Sequence, residues 1–260
     1  MWRAWMVLAL SGLLGAVPAI AAAEAAAATS DPASTASIGV TAYGTSHGGR
    51  ALRVAHRCAS DATVDVLVIG AMHGTETAGQ AIVRRLGQGA PPPGTCWHLL
   101  SALNPDGVAR GTRQNARGVD LNRNFPFRWR RGGRPFDVFY PGRARASERE
   151  TLAALAMVRA IRPDVTIWYH QHRNMTVRPP LPWREALAGA YARASGVVMR
   201  TYPGPPLSGT ASSWQHAELP RSLALVVELP AGALDVAAVR RHVAAVRSVG
   251  TLARFDRADT

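Results

Sequence analysis

Short apolar runs and helical patterns alternate along this chain. Runs rich in β-branched, leucine and aromatic residues predict strands at residues 52–57, 64–72, 97–103, 164–170, 197–202 and 223–229. Stretches between several of them carry apolar residues at helical spacing. The alternation predicts an α/β fold of three layers, in which helices cover both faces of one sheet.

Three helices can be placed from their start and stop signals. The segment 76–86 has small and apolar residues at a spacing of four. Ser147 and Glu150 form a capping box, which predicts a helix start at Ser147, and Pro163 ends that helix. Asp235 is predicted to cap the last helix of the chain.

Polar side chains follow three of the apolar runs. His73 comes after the run ending "VLVIGAM", His170 ends "VTIWYH", and Glu228 ends "LALVVE". Ligands of open α/β sheets bind at the carboxyl ends of the strands. We therefore expect these three side chains to meet in one crevice.

The segment "GAMHGTETAG" places His73 and Glu76 at a strand exit with two residues between them. Two such side chains can bind one metal ion, and a third ligand with one open position would complete a catalytic zinc site. Because His-x-x-Glu is a common pattern, an exposed pair without a metal is the alternative.

Further motifs downstream favour the metal site. The segment 104–126 reads "NPDGVARGTRQNARGVDLNRNFP", and "SERE" follows at 147–150. Together with "HGTE", His170 and Glu228, these motifs resemble the zinc metallocarboxypeptidase family, which includes pancreatic carboxypeptidase A. The resemblance covers roughly residues 64–232. It implies a mixed, mostly parallel central sheet and one zinc ion per chain.

The resemblance assigns the metal ligands by position. His73 and Glu76 match the first two zinc ligands, and His170 matches the third. His172 is the alternative third ligand, since side chains two residues apart on a strand point the same way. Zinc held by two histidines and a glutamate leaves a position for water and lowers the pKa of that water to ~7.

The resemblance also assigns the residues that act on the substrate. Asn122 and Arg123 match the pair that holds the terminal carboxylate of the substrate. Glu228 matches the general base, with a buried structural acid as the alternative. Arg113 is the candidate for polarising the carbonyl oxygen, and Arg110 is its competitor for that role.

The substrate pocket departs from that of the digestive enzymes. Their mobile tyrosine corresponds to Pro205 here, and Tyr202 is near but shifted. Ser212, at the position of the side-chain selector, fits neither a large apolar nor a basic side chain by itself. The short chain and the "GTRQNARGVDLNRNFP" form resemble the murein peptide amidases, which cut the γ-D-glutamyl bond to diaminopimelate in cell-wall peptides.

The length of 260 residues and the 47% hydrophobic content predict one domain, residues 41–260. Residues 1–28 resemble a secretory signal peptide, with Arg3 before an apolar run and small residues at the cleavage region. The stretch "AAAATSDPASTAS" lacks periodic apolar content, and residues 29–40 are predicted to form a flexible tail. We expect a monomer exported to the periplasm, the envelope or the medium, without an integral membrane segment after signal removal.

The net charge of +13, in which all 30 basic residues are arginine, favours an anionic partner. Export and the absence of a nucleic-acid-binding motif exclude nucleic acid as that partner. The sequence therefore predicts a secreted zinc peptidase with a carboxylate-bearing peptide substrate, such as a murein peptide. The alternatives are an ordinary metallocarboxypeptidase, a zinc deacylase of the desuccinylase or aspartoacylase type, and a non-catalytic wall-binding relative.

Cys58 and Cys96 are the only cysteines of the chain. Both flank predicted core strands, and an exported protein meets an oxidising environment. A disulfide between them is therefore predicted, with two buried thiols as the alternative.

Overall fold

The fold is described by a computed structural model over residues 37–258, apart from 181, 203, 205 and 206. The predicted signal peptide, residues 29–36 of the predicted tail, and Pro205 lie outside these residues. The described residues belong to one compact unit. None of the helices in this part of the chain has the length and apolar character needed to cross a bilayer.

Eight strands form one sheet. In chain order they are β1 (Ser37–Thr45), β2 (Ala51–Cys58), β3 (Val64–Ile69), β4 (Thr95–Leu100), β5 (Val165–Gln171), β6 (Met175–Val177), β7 (Val198–Arg200) and β8 (Leu223–Leu229). Their order in the sheet is β1-β2-β4-β3-β5-β8-β6-β7. The central strands β4, β3, β5 and β8 are parallel, whereas β1, β2 and β6 introduce antiparallel pairings. The mixed sheet implied by the resemblance is confirmed.

Helices cover both faces of this sheet. They are α1 (Gly79–Gly87), α2 (Pro105–Arg110), α3 (Arg149–Ile161), α4 (Pro182–Ser195), α5 (Ala211–Glu218) and α6 (Val236–Ala258), with a short 3-10 helix at Leu121–Arg123. Helices α1, α4 and α6 pack on one face. Helices α3 and α5 pack on the other. The predicted three-layer architecture is confirmed.

The strand β3 shows why the central runs are apolar throughout. Val66 and Val68 pack under α1 and α6, whereas Leu67 and Ile69 pack under α3 and α5. Successive side chains of a strand point to opposite faces, and both faces are buried here. A continuous apolar run is the result.

Two predicted boundaries are corrected by the structure. Residues 37–40 of the predicted tail belong to β1, which pairs along its whole length with β2. Most β1 side chains are exposed, including Ile38. The strand is therefore held mainly by backbone hydrogen bonds with β2, because the alternating side chains of Ile38, Val40 and Ala42 are exposed.

The predicted capping box is also wrong. The N-cap of α3 is Glu148, without a side-chain cap, and the Ser147 hydroxyl donates to the Glu148 carboxylate instead. The Glu150 carboxylate does not complete the capping box because it accepts a hydrogen bond from the backbone N–H of His47. At the last helix, the Asp235 carboxylate accepts from Ala238 N–H as predicted.

Cys58 and Cys96 form a disulfide between the neighbouring strands β2 and β4. The bridge closes a segment with a sequence separation of 38 residues. Restricting the unfolded chain in this way stabilises the fold by about 3 to 4 kcal/mol in the chain-entropy model. We expect the free energy of unfolding in urea to fall by this amount in a Cys58→Ser, Cys96→Ser variant. Two titratable thiols in denatured parent protein prepared without reductant would contradict the bridge.

Candidate active site

The predicted polar residues meet at the carboxyl ends of three adjacent strands. β3, β5 and β8 are neighbours in the sheet. His73 follows β3, His170 lies in β5, and Glu228 lies in β8 opposite His170 in register. All three line one cleft of about 840 Å³. The predicted convergence of the strand ends is confirmed.

A tight turn after β3 presents His73 and Glu76 together. The backbone N–H of Glu76 donates to the carbonyl of His73. Gly74 lies against the backbone of Gly107, where an added Cβ would come within 2.0 Å of the Gly107 carbonyl carbon. Only glycine permits so close an approach, and this explains the residue between the two polar side chains.

Three buried side chains converge on one point. His73 Nδ1 and His170 Nδ1 each lie 2.9 Å from Glu76 Oε2. The potential ligand atoms of these residues all lie within 4.8 Å of one another. Among the described residues, the close contact of His73 Nδ1 with Glu76 Oε2 does not have hydrogen-bond geometry, and leaving a buried polar atom without a hydrogen bond is costly. A zinc ion fits this donor set of two imidazoles and one carboxylate.

The electrostatics of the site also favour binding of a cation. Burial opposes ionisation of Glu76, but His170 and His73 hold the pKa of its carboxyl far below the usual range. Arg113 Nη1 donates to the other oxygen, Glu76 Oε1, at 2.8 Å. Glu76 is therefore ionised, as a metal ligand must be.

Asp120 is a component that the sequence analysis missed. Its side chain is fully buried, and its Oδ1 lies 2.9 Å from His73 Nε2. Burial would lower the pKa of His73, but Asp120 raises it overall. A carboxylate in this position fixes the orientation and tautomer of a metal-binding histidine. The signal was present in "GVDLNRNF", where Asp120 stands two residues before Asn122.

The structure separates the two candidates for the third ligand. His170 is buried with its Nδ1 beside Glu76. His172 is exposed at the cleft surface and is not part of the cluster. Asn122 Nδ2 lies 3.4 Å from His170 Nε2 on the opposite side of the ring. Of the two histidines, only His170 lies beside His73 and Glu76.

Glu228 lies beside this cluster without joining it. Its side chain is half-buried and lines the cleft. Burial raises its pKa, and the charge of Glu76 adds to that shift, whereas His170 and Arg173 oppose it. A carboxylate with a raised pKa beside a candidate metal site is suited to accept and return a proton.

The arginines of the "GTRQN" and "LNRNF" motifs form a cationic wall. Arg113 and Arg123 line the cleft, and both guanidinium groups lie over the ring of Phe139, at 5.8 and 4.9 Å from its centre. Arg113 also donates to Asp120 Oδ2 at 2.9 Å. Arg110 is exposed, outside the cleft lining, and donates to a backbone carbonyl. The structure thus brings Arg113 to the site and leaves Arg110 outside it.

The remaining predicted positions are those expected to contact the side chain of the substrate. Ser212 and Tyr202 both line it. Asn122 connects this part to the cluster, because its Oδ1 accepts from the backbone N–H of Ala211 at 3.0 Å. Gly209, at φ +62°, packs against the carbonyl of Arg123, where a Cβ would come within 2.2 Å. The pocket wall is therefore built directly on the "LNR" segment.

Known proteins share both the sequence and the fold of this chain. Murein peptide amidase A of Escherichia coli strain K12 is 29% identical over 160 residues, which are 57% of this chain and 64% of that protein. The match therefore spans just under two thirds of that relative. The crystal structure of murein-tripeptide amidase MpaA from Escherichia coli O157 has a TM-score of 0.64 and 26% identity, and the alignment covers 83% of this chain and 92% of that one.

Carboxypeptidase A from Helicoverpa armigera shares the fold. Its TM-score is 0.71 at 19% identity, and the alignment covers 86% of this chain and 70% of that one. The profile of the family described as zinc carboxypeptidase, Peptidase_M14, matches residues 94–230, just over half of the chain. This chain belongs to the zinc carboxypeptidase family.

Proposed function

We propose that this chain is an exported peptidase that hydrolyses an amide bond in a short, carboxylate-bearing cell-wall peptide. The observation that carries the proposal is the shared cleft. It contains the His73, Glu76 and His170 cluster, the half-buried Glu228 and the arginine wall. The similarity to a relative named murein peptide amidase A supports this substrate class.

In this proposal, His73, Glu76 and His170 bind one zinc ion per chain. The buried His73 Nδ1, which lacks a hydrogen bond of good geometry, and the ionised Glu76 support the assignment. When bound, zinc lowers the pKa of water and polarises the carbonyl of the scissile amide. Asp120 keeps the His73 ring oriented with Nδ1 towards the cluster.

Glu228 accepts the proton of the attacking water and returns it to the leaving amine. Burial raises the pKa of Glu228, and a carboxylate with a raised pKa is a better proton acceptor than an ordinary one. Arg113 is placed to stabilise negative charge on the carbonyl oxygen, because its guanidinium lies at the cleft surface beside Glu76. Glu228 and Arg113, which act on the attacking water, the leaving amine and the carbonyl oxygen, thus line the same cleft.

Asn122 and Arg123 bind the terminal carboxylate of the substrate. Burial lowers the pKa of Arg123, yet an arginine stays charged in proteins, so a half-buried guanidinium stacked on Phe139 is a strong anion site. The planar fork of arginine pairs with both oxygens of a carboxylate. This geometry favours substrates with a free carboxylate next to the cleaved bond.

The predicted signal peptide and the positive net charge support the cell wall as the destination of the protein. A net charge of +13 favours an anionic environment. Ser212, a small hydroxyl on the cleft wall, does not select a large apolar or basic side chain. Both features favour a murein peptide over the C-terminus of an ordinary protein.

A substrate panel tests the proposal. Murein tripeptide, hippuryl-type carboxypeptidase substrates and N-acyl amino acids are compared at equal concentration, with and without a zinc chelator. We expect chelator-sensitive turnover of murein tripeptide to exceed that of the others. In Arg123→Lys, kcat/KM should fall at least ~10-fold because lysine keeps the charge but loses the bidentate fork. Preference for the hippuryl or N-acyl substrates, or an unchanged kcat/KM in Arg123→Lys, would contradict it.

A further inference from the structure

A pair of histidines lies between the strands β2 and β4. His56 stands opposite His98 in the register of these antiparallel strands, and their Nδ1 atoms are 2.7 Å apart. Val54 and Leu100, each two positions from one of the histidines, pack on the face covered by α3 and α5. The two rings therefore lie on that face as well. Neither histidine belongs to the sequence motifs described above, and the proposed mechanism uses neither.

The pair is separate from the active-site cleft. In the sheet, β4 and β2 lie on the opposite side of β3 from β5 and β8. Asp65, which contacts the pair, lies near the amino end of β3, whereas His73 follows the carboxyl end of the same strand. Neither His56 nor His98 lines the cleft. A ligand bound by this pair would therefore not take part in the catalytic reaction.

The second nitrogen of each ring has an oxygen partner. His98 Nε2 lies 2.8 Å from Asp65 Oδ1, and because an ionised carboxylate only accepts, this nitrogen carries the proton. His56 Nε2 lies 2.9 Å from Thr41 Oγ1, and a hydroxyl can accept the proton of that nitrogen too. In the tautomers with both Nε2 atoms protonated, the Nδ1 lone pairs of the two rings face each other. A cation between them is then the favourable arrangement.

This arrangement is the one that metal-binding histidines have. A histidine that binds a metal typically donates its other ring N–H to an acceptor such as a carboxylate, and the pair of His73 with Asp120 is an example in this chain. Burial lowers the pKa of His56, and the charge of His98 adds to that shift, whereas Asp65 opposes it. His56 is therefore neutral at neutral pH, and neutral imidazole is the form that binds metals.

The two strands hold the rings close to the spacing that an ion requires. Two nitrogen ligands of a tetrahedral zinc ion lie roughly 3.3 Å apart, so the rings need to separate by only about 0.6 Å. The disulfide between Cys58 and Cys96 joins the same strands two positions further along in register, and it limits any larger separation. Because His56 is only half-buried, water can reach the remaining positions of the ion.

We propose that His56 and His98 form a second metal site, which binds a divalent cation that prefers imidazole ligands, such as Zn²⁺, through their Nδ1 atoms. Asp65 and Thr41 orient the two rings from the outside. The ion connects β2 with β4 directly, and β1 through Thr41. It therefore stabilises the edge of the sheet, where β1 is held mainly by backbone hydrogen bonds. This site does not depend on the proposed peptidase function.

Titration of the zinc-loaded protein with further Zn²⁺ tests the site. Nitrogen NMR of isotope-labelled histidine follows each ring, and calorimetry gives the affinity for the added ion. We expect the Nδ1 resonances of His56 and His98 to shift together and to saturate at one added ion per chain. Loss of an outer partner of a metal ligand costs ~10-fold to ~100-fold in affinity, so Asp65→Asn should cost ~10-fold or more and His56→Gln more than ~100-fold.

His47→Gln is the matched control. His47 is another half-buried histidine, and its ring contacts Arg117 and not the pair, so this variant should bind the added ion as the parent does. Resonances of both rings that stay unchanged up to millimolar Zn²⁺ would show that the pair is a hydrogen bond only and overturn the metal site. Shifts confined to one ring, or equal affinity of the parent and His56→Gln, would also overturn it. Because the resonances belong to these two rings, the result is independent of the metal content of the catalytic cluster.

Discussion

Replacing Glu228 by glutamine should lower kcat by about 10²-fold to 10⁴-fold while zinc stays bound. Glutamine has nearly the same shape but cannot accept the proton of the attacking water. Glu228 lies beside the metal cluster without belonging to it. The expected result is therefore loss of turnover with full metal content, measured by steady-state kinetics and elemental analysis on the same preparation.

A matched variant separates this effect from a general loss of charge. Glu218→Gln changes an exposed carboxylate on α5 that pairs with Arg159, and it should leave kcat within about twofold because surface pairs contribute little. Near-normal kcat in Glu228→Gln would exclude Glu228 as the general base. Loss of zinc in that variant would place Glu228 among the ligands.

Replacing His170 by alanine should remove zinc from the protein. Loss of an outer partner of a metal ligand alone typically costs ~10-fold to ~100-fold in affinity, so loss of a ligand should cost more than ~100-fold. His170 Nδ1 and His73 Nδ1 both face Glu76 Oε2. Two remaining ligands cannot hold the ion at micromolar concentration, and zinc content after dialysis measures the result.

The neighbouring histidine provides the control. His172→Ala lies two residues away, in an exposed position at the same cleft, and it should retain one zinc ion per chain. Zinc retained in His170→Ala and lost in His172→Ala would transfer the ligand role to His172. That result would also require a different conformation of the loop after β5.

The parts of the fold set by burial could be predicted from the sequence. The central strands β3, β5 and β8 are apolar because both of their faces are covered, and each was placed within a few residues of its observed bounds. The candidate site followed from the same feature, since parallel strands bring their carboxyl ends to one edge. The proximity of His73, His170 and Glu228 could therefore be predicted from the sequence.

The parts held by polar contacts could not be predicted in this way. Ile38, Val40 and Ala42 alternate along β1, but their side chains are exposed and the strand pairs through its backbone, so burial does not define it. Ser147 and Glu150 have the spacing of a capping box, but long-range partners take up their side chains. Such partners lie far apart in sequence, and no local pattern identifies them.

The site shows the same limit. The position of Asp120 next to the "LNRNF" motif marks it as a candidate, but its partner His73 lies 47 positions away in the chain and is identified only in the folded structure. The choice between Arg113 and Arg110 also depends on the fold. The two arginines lie three positions apart in the sequence, and only the folded structure places Arg113 against Glu76 and Asp120.

Mass spectrometry of murein tripeptide after incubation with the zinc-loaded protein tests the central claim most directly, because it reports which bond is cut. The account predicts release of free diaminopimelate and the remaining L-alanyl-D-glutamate dipeptide, and no release in the presence of a zinc chelator. An intact tripeptide, together with chelator-sensitive removal of C-terminal residues from ordinary peptides, would contradict the account.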